Sequence, residues 1–156
     1  MSEKNIRFGA DLRLLRNLER QSDRDPGSDL STLQRVETRQ RDLETLTSAE
    51  NLQQALLLRF LTPVGELAPL GHPNYGSRLF ELIGERNIET TRNRAKLFVL
   101  EALAAEPRVK EVRAVRVTQS RADRTRMDIE ASLVAIDSDT TLNLVFPFFL
   151  ERGVTP

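Results

Sequence analysis

The sequence predicts an α+β fold: two main helices plus a short one packed on a three-stranded, mostly antiparallel sheet with an edge strand last. Three observations carry that reading. Between Thr47 and Ala105 apolar residues recur at helical spacing, and from Met127 onward they alternate with polar ones. Between the two regimes stands Glu106-Pro107-Arg108. Proline lacks the amide that a helix interior needs and pushes the residue before it towards extended geometry, so the helix must stop there. Helices followed by strands in sequence give segregated layers.

Length and charge set the bounds. A chain of 156 residues can bury a real core, and it divides into an amino-terminal arm, partly helical, at residues 1–40, a domain at 41–151 and a tail at 152–156. The 23 basic and 23 acidic residues cancel, which removes any global field towards nucleic acid or an anionic membrane. With no cysteine there is no disulfide framework and no thiolate chemistry, and a reducing compartment fits. No apolar run reaches the roughly 20 residues of a membrane span. Met1-Ser2-Glu3-Lys4-Asn5 is not followed by a signal-like apolar stretch, so cytoplasmic assembly without membrane insertion is expected.

In chain order, Leu12, Leu14, Leu15 and Leu18 form an apolar patch suited to a short amphipathic helix that docks on a partner, closed by the breaker Asp23-Arg24-Asp25-Pro26-Gly27-Ser28. Val36, Leu43 and Leu46 are the burial candidates of a connecting arm. Thr47-Ser48-Ala49-Glu50 reads as a capping box, so a helix follows, with Leu52, Ala55, Leu56 and Arg59 on one face and Leu57, Leu58 and Phe60 widening it. It ends near Thr62-Pro63. The stretch from Val64 to Gly76 holds three glycines and two prolines and is a structured loop.

Ser77 caps a short helix through Leu79, Phe80, Leu82 and Ile83, with Gly84 at its end. A long helix then runs from Asn87 or Ile88 to about Ala105. Its last turns, with Leu97, Phe98, Val99, Leu100, Ala102 and Leu103, are apolar nearly all round, as in a central helix. Val112 to Thr118 is a strand whose apolar parity slips, which calls for a bulge. Met127, Ile129, Ala131, Leu133 and Ala135 line one face of the next strand, and Leu142, Leu144, Phe146 and Phe148 that of the last, with the turn at Asp137-Ser138-Asp139. Pro147 cannot donate to a ladder, which makes the last strand an edge or a bulged strand, and a free edge invites a partner's strand.

Few residues suggest chemistry. His72, between Gly71 and Pro73, has no second histidine or cysteine to complete a metal site, and no cofactor is expected. A glycoside hydrolase needs two carboxyls a few ångströms apart, one with a raised pKa. Glu66 and Glu81 are the nearest candidates, but nothing pairs them, tryptophan is absent and aromatics make up only 5% of the chain. The seven basic residues from Arg108 to Arg126 lack interleaved aromatics, which counts against nucleic acid, and they can pair with Asp128 and Glu130. Glu106 and Arg108 either brace the bend or present a carboxylate and a guanidinium fork to another protein. Tyr75 and Arg78 either anchor the loop or bind through it.

Thr62-Pro63-Val64-Gly65-Glu66-Leu67, then Gly71-His72-Pro73-Asn74-Tyr75-Gly76-Ser77-Arg78-Leu79, a long helix and Glu106-Pro107-Arg108 resemble the tail-lysozyme-like baseplate wedge proteins of contractile tails. That family includes GPW-type phage proteins and TssE of type VI secretion. The resemblance spans residues 41–150, with a loop longer than in some members at Leu70-Gly71-His72. It implies a structural subunit rather than an enzyme, one that links baseplate wedge and hub and gives the first sheath ring its platform. The implied partners are the sheath protein, the larger wedge subunits and the spike or hub proteins. Glu106, Pro107 and Arg108 correspond to a sheath contact beside a sheath-like edge strand. Gly65, Glu66, Tyr75, Gly76 and Arg78 correspond to wedge or hub contacts. The family's name also invites the alternative, a peptidoglycan-cleaving glycoside hydrolase.

Overall fold

The change of period at Pro107 is the main architectural event. The computed structural model describes residues 8–14, 32–136 and 140–151, and its chain divides into two units, Met1–Ala55 and Leu56–Pro156. Leu15, Leu18, the breaker at 23–28, the turn at 137–139 and the tail at 152–156 lie outside the described residues.

In the first unit the described residues of the arm form two short strands and a turn, and part of the patch read as an amphipathic helix lies outside the described residues. β1 (Ala10–Leu12) pairs antiparallel with β4 (Thr45–Thr47), and β2 (Thr32–Gln34) with β3 (Arg41–Leu43). The reason is a supply of partners for extended backbone. The Gln54 amide donates to the Leu12 carbonyl at 2.7 Å and accepts the Leu14 amide at 2.8 Å, and Asn51 donates to the Phe8 carbonyl at 2.6 Å. Of the expected burial candidates only Leu46 is buried; Leu43 is exposed, and Val36 sits 94% exposed in the turn between β2 and β3.

Helix α1 (Ser48–Leu61) begins where the capping sequence placed it. Its last turn buries Leu56, Leu57 and Phe60 in the core of the second unit, and the Phe60 ring stacks on Phe146 with centroids 4.9 Å apart. Each such fully buried apolar side chain contributes roughly 1.5–3 kcal/mol. The following loop is closed by paired main chain: the Ser77 amide donates to Thr62 and the Val64 amide to Ser77. Gly76 makes this closure possible. Its φ is 113°, and a Cβ there would lie 2.5 Å from the Thr62 carbonyl oxygen. Ser77 then accepts the Leu79 amide and donates to the Phe60 carbonyl, holding a short 3₁₀ turn at Leu79–Leu82.

Helix α2 (Glu89–Ala104) buries one stripe, Thr91, Ala95, Phe98, Val99, Ala102 and Leu103. The expectation of an all-round apolar end fails at Leu97, which is 51% exposed. One layer of sheet covers one face of the helix and leaves the other free.

The sheet has the order β5 (Val109–Gln119), β6 (Arg126–Ala135), β7 (Thr141–Phe149), antiparallel throughout. The parity slip in β5 appears as register shifts at Val109/Glu111 and Val112/Ala114. Met127, Ile129, Ala131, Leu133 and Ala135 are buried, as are Leu144, Phe146 and Phe148. Pro147 stands on the edge strand β7, opposite Asp128.

Candidate functional site

The bend after α2 is built around a carboxylate. Glu106 donates its amide to the Leu103 carbonyl and accepts the Val109 amide, so the chain reverses into β5 across Pro107 and Arg108. Its side chain faces inward, only 6% exposed. Oε1 accepts from Arg108 Nε at 2.6 Å, and Oε2 accepts from Arg59 Nη2 at 3.3 Å. Arg59 comes from the last turn of α1, and its guanidinium lies 4.6 Å over the centroid of the Tyr75 ring. Three separate stretches of sequence thus meet at one place: Arg59, Tyr75 and the neighbours Glu106 and Arg108.

Electrostatics fix the protonation states. Burial pushes the Glu106 carboxyl up, but the hydrogen bond and charge of Arg108, helped by the charge of Arg59, outweigh it and leave the group below the ordinary glutamate range. It is therefore ionised at neutral pH. Burial and the neighbouring Glu106 raise the Tyr75 hydroxyl against the pull of Arg59 and Arg108, so the ring stays neutral.

A second constellation lies on the loop and α2. Arg78 grips Glu81 with two hydrogen bonds, 2.7 and 3.0 Å, and stacks 4.5 Å over the Phe98 ring. Arg94, ion-paired with Glu85, approaches the same ring at 5.7 Å. The Arg78 hydrogen bond holds the Glu81 carboxyl below its usual range. Glu81 is thus an arginine's partner, and its chemistry is that of a fixed anion.

The sequence-derived candidates separate accordingly. Glu106 and Arg108 are brought together, with Pro107 exposed between them. Glu106 braces the bend from inside. Tyr75 joins this cluster, while Arg78 is committed elsewhere. Gly65 and Glu66 are exposed on the loop, and Gly76 is buried where the loop closes. In the basic stretch Arg116 stands opposite Glu130, and Arg126 bonds Asp128 at 2.7 Å. His72 is exposed, and among the described residues no group of three or more metal-capable side chains gathers. Sequence reading set Arg59 on an apolar helix face without giving it a partner. The signal was there: a guanidinium on a buried stripe requires a carboxylate, and Glu106 is the acid pinned at the helix end.

No family model matches the sequence, and no curated protein matches it. Among solved structures, a crystal structure from Geobacter sulfurreducens, provisionally named a tail lysozyme, is similar with a TM-score of 0.58 and 27% identity. The similarity covers 67% of this chain and 93% of that one. In fold, this chain stands beside a tail-related protein, and no helix of the described residues is long and apolar enough to cross a membrane.

Proposed function

We propose that this chain is a structural baseplate component of a contractile tail or injection system, joining wedge and hub subunits and seating the first ring of sheath. The observation that carries the reading is the Glu106-Pro107-Arg108 bend, built at the head of a three-stranded sheet in a domain whose fold is similar to a tail protein. The sheet has the geometry this role needs. β5 and β7 each have one side without a strand partner in the sheet, and a free edge can accept a strand from a sheath subunit.

The bend supplies the anchor. Glu106 is turned inward, so it acts through Arg108, holding that guanidinium at the surface by its Nε. Arg108 and the exposed Pro107 are then the parts of the triplet that touch a partner. The test is electron microscopy of particles assembled with Arg108→Lys, counting sheathed tails against bare baseplates. Lysine keeps the charge and loses the planar fork, so sheathed tails should become rare while baseplates still form. Normal sheathing would return the pair to a helix-end brace.

The similar structure's name raises hydrolysis as a second reading. A glycosidase donates a proton from a carboxyl whose pKa is raised, whereas Glu81 and Glu106 are both held ionised by arginines. Purified chain should leave the turbidity of a peptidoglycan suspension unchanged, and clearing would replace the structural reading with the enzymatic one.

A further inference from the structure

Arg59 and Arg108 share one carboxylate, and neither is satisfied by it. Glu106 accepts the Arg108 amide at 3.4 Å but engages its guanidinium through Nε alone, leaving both terminal nitrogens of that fork without a hydrogen bond among the described residues. Arg59 gives Glu106 a single 3.3 Å contact, its side chain is only 10% exposed, and its Nε is buried with no partner among the described residues. A buried donor without an acceptor is costly. Two guanidinium groups against one carboxylate, with Tyr75 neutral, leave this cluster one positive charge in excess. At the other paired arginines of the unit the carboxylates are at least as many as the guanidinium groups: Arg78 has Glu81 and Glu101, Arg94 has Glu85, Arg113 has Glu111 and Arg126 has Asp128.

We infer that the Arg59, Tyr75 and Arg108 cluster is a receptor for an aspartate or glutamate side chain of a partner subunit. The inference rests on the baseplate reading and adds the chemistry of the contact. A carboxylate cancels the excess charge one for one, and its two oxygens match the two free terminal nitrogens of Arg108. A phosphate dianion would instead leave surplus negative charge beside Glu106. Docking would also exclude water from a guanidinium already 75% buried, which strengthens the pairing.

The chain carries its own reporter, because Tyr75 is the sole tyrosine and tryptophan is absent. The full chain is titrated with acetyl-Gly-Glu-Gly-amide, with the Gln peptide and with inorganic phosphate, reading Tyr75 emission and the side-chain N–H signals of Arg59 and Arg108. The Glu peptide should give a saturable change and the Gln peptide none. Arg108→Gln should weaken the response at least about tenfold, as expected for loss of a charge-assisted bond. Arg108→Lys should fall between the two, and it carries the test if Arg108→Gln does not fold. An equal response to the Gln peptide, an undiminished response in the Arg108 variants, or phosphate acting below the Glu peptide's concentration would overturn the receptor. A second arm separates the two proposals by co-purification with sheath and wedge subunits. Peptide binding without subunit binding overturns the baseplate role alone. Subunit binding of equal strength in wild type and Arg108→Gln overturns the receptor alone.

Discussion

Two arginine–glutamate forks of the carboxyl-terminal unit, one at Glu106 and one at Glu81, differ in every respect that decides what such a pair does. Around Glu106 the carboxylate is buried, the arginines outnumber it, and Arg59, from a different helix, reaches it. Around Glu81 both partners are substantially exposed, the charges balance, and the pair spans three residues. Burial makes the first fork expensive to break, because a charge left alone in the interior is not rehydrated. Solvent makes the second replaceable. Position therefore separates a pair that ties elements together from a pair that decorates a surface.

The largest expected effect breaks the first fork. Glu106→Ala strands the buried Arg59, and removing one partner of a buried ion pair costs about 3–5 kcal/mol. Urea denaturation followed by circular dichroism should show the midpoint falling sharply. A loss under about 1 kcal/mol would mean that the cluster behaves as a surface pair. For the same reason Glu106→Ala is a poor probe of sheath docking, and Arg108 is the better one.

Next comes the loop that delivers Tyr75 to the cluster. Gly76→Ala meets two objections at once, a φ of 113° and a Cβ 2.5 Å from the Thr62 carbonyl oxygen. Backbone strain of this kind costs on the order of 1–3 kcal/mol, and here the obstacle is main chain, which cannot swing aside. Tyr75 emission should also change, since the loop must shift to accept the methyl. Unchanged emission and stability would show that the loop closure is loose.

These cases also show what was legible beforehand. The helices, the strand parities, the bulge in β5 and the edge position of Pro147 follow from local patterns of apolar spacing and proline chemistry, and those patterns are short-range. The strand β1 was not legible, because it depends on β4 for its ladder and on Gln54 for the Leu12 carbonyl, both far along the chain. At the candidate site Glu106 and Arg108 could be paired from adjacency. Arg59 and Tyr75 join them only through the fold, and Arg78 is claimed by Glu81, three residues on, and by Phe98, which no spacing rule singles out. Leu97 misled for a related reason: a helix covered by one sheet layer can carry a leucine on its open face.

The pH dependence sharpens the comparison at a smaller scale. Glu106 is held below the ordinary glutamate value of about 4.3, so between the folded and unfolded pKa values the unfolded chain binds more protons. Its stabilisation is complete above the unfolded value and is lost as pH falls through the folded one. Glu81 and Asp123 are shifted in the same direction, so wild type alone cannot assign the effect. Glu106→Gln does not titrate at that position. The stability gap between wild type and Glu106→Gln should be constant from pH 6 to 8 and close as pH falls below about 4. A gap independent of pH down to the acid transition would mean that Glu106 is not held ionised by its arginines.

The smallest effect is expected at the exposed fork. Glu81→Gln leaves Arg78 in water and still stacked on Phe98, so the loss should be small, as for a screened surface pair. Arg78→Ala should cost more than Glu81→Gln, because it also uncovers part of a ring whose burial depends on the guanidinium plane and its aliphatic stem. The order of the two variants is what tests the idea. If the ion pair were the working part, both would lose the same amount, and 0.5 M salt would reduce the wild type to the level of either variant. If stacking is the working part, salt changes little and Arg78→Lys, which keeps the charge without the plane, behaves more like Arg78→Ala than like wild type. Thermal melts of the three variants at low and high salt decide between these. Equal losses that vanish with salt would reassign Arg78 from covering the helix α2 ring to a screened surface charge.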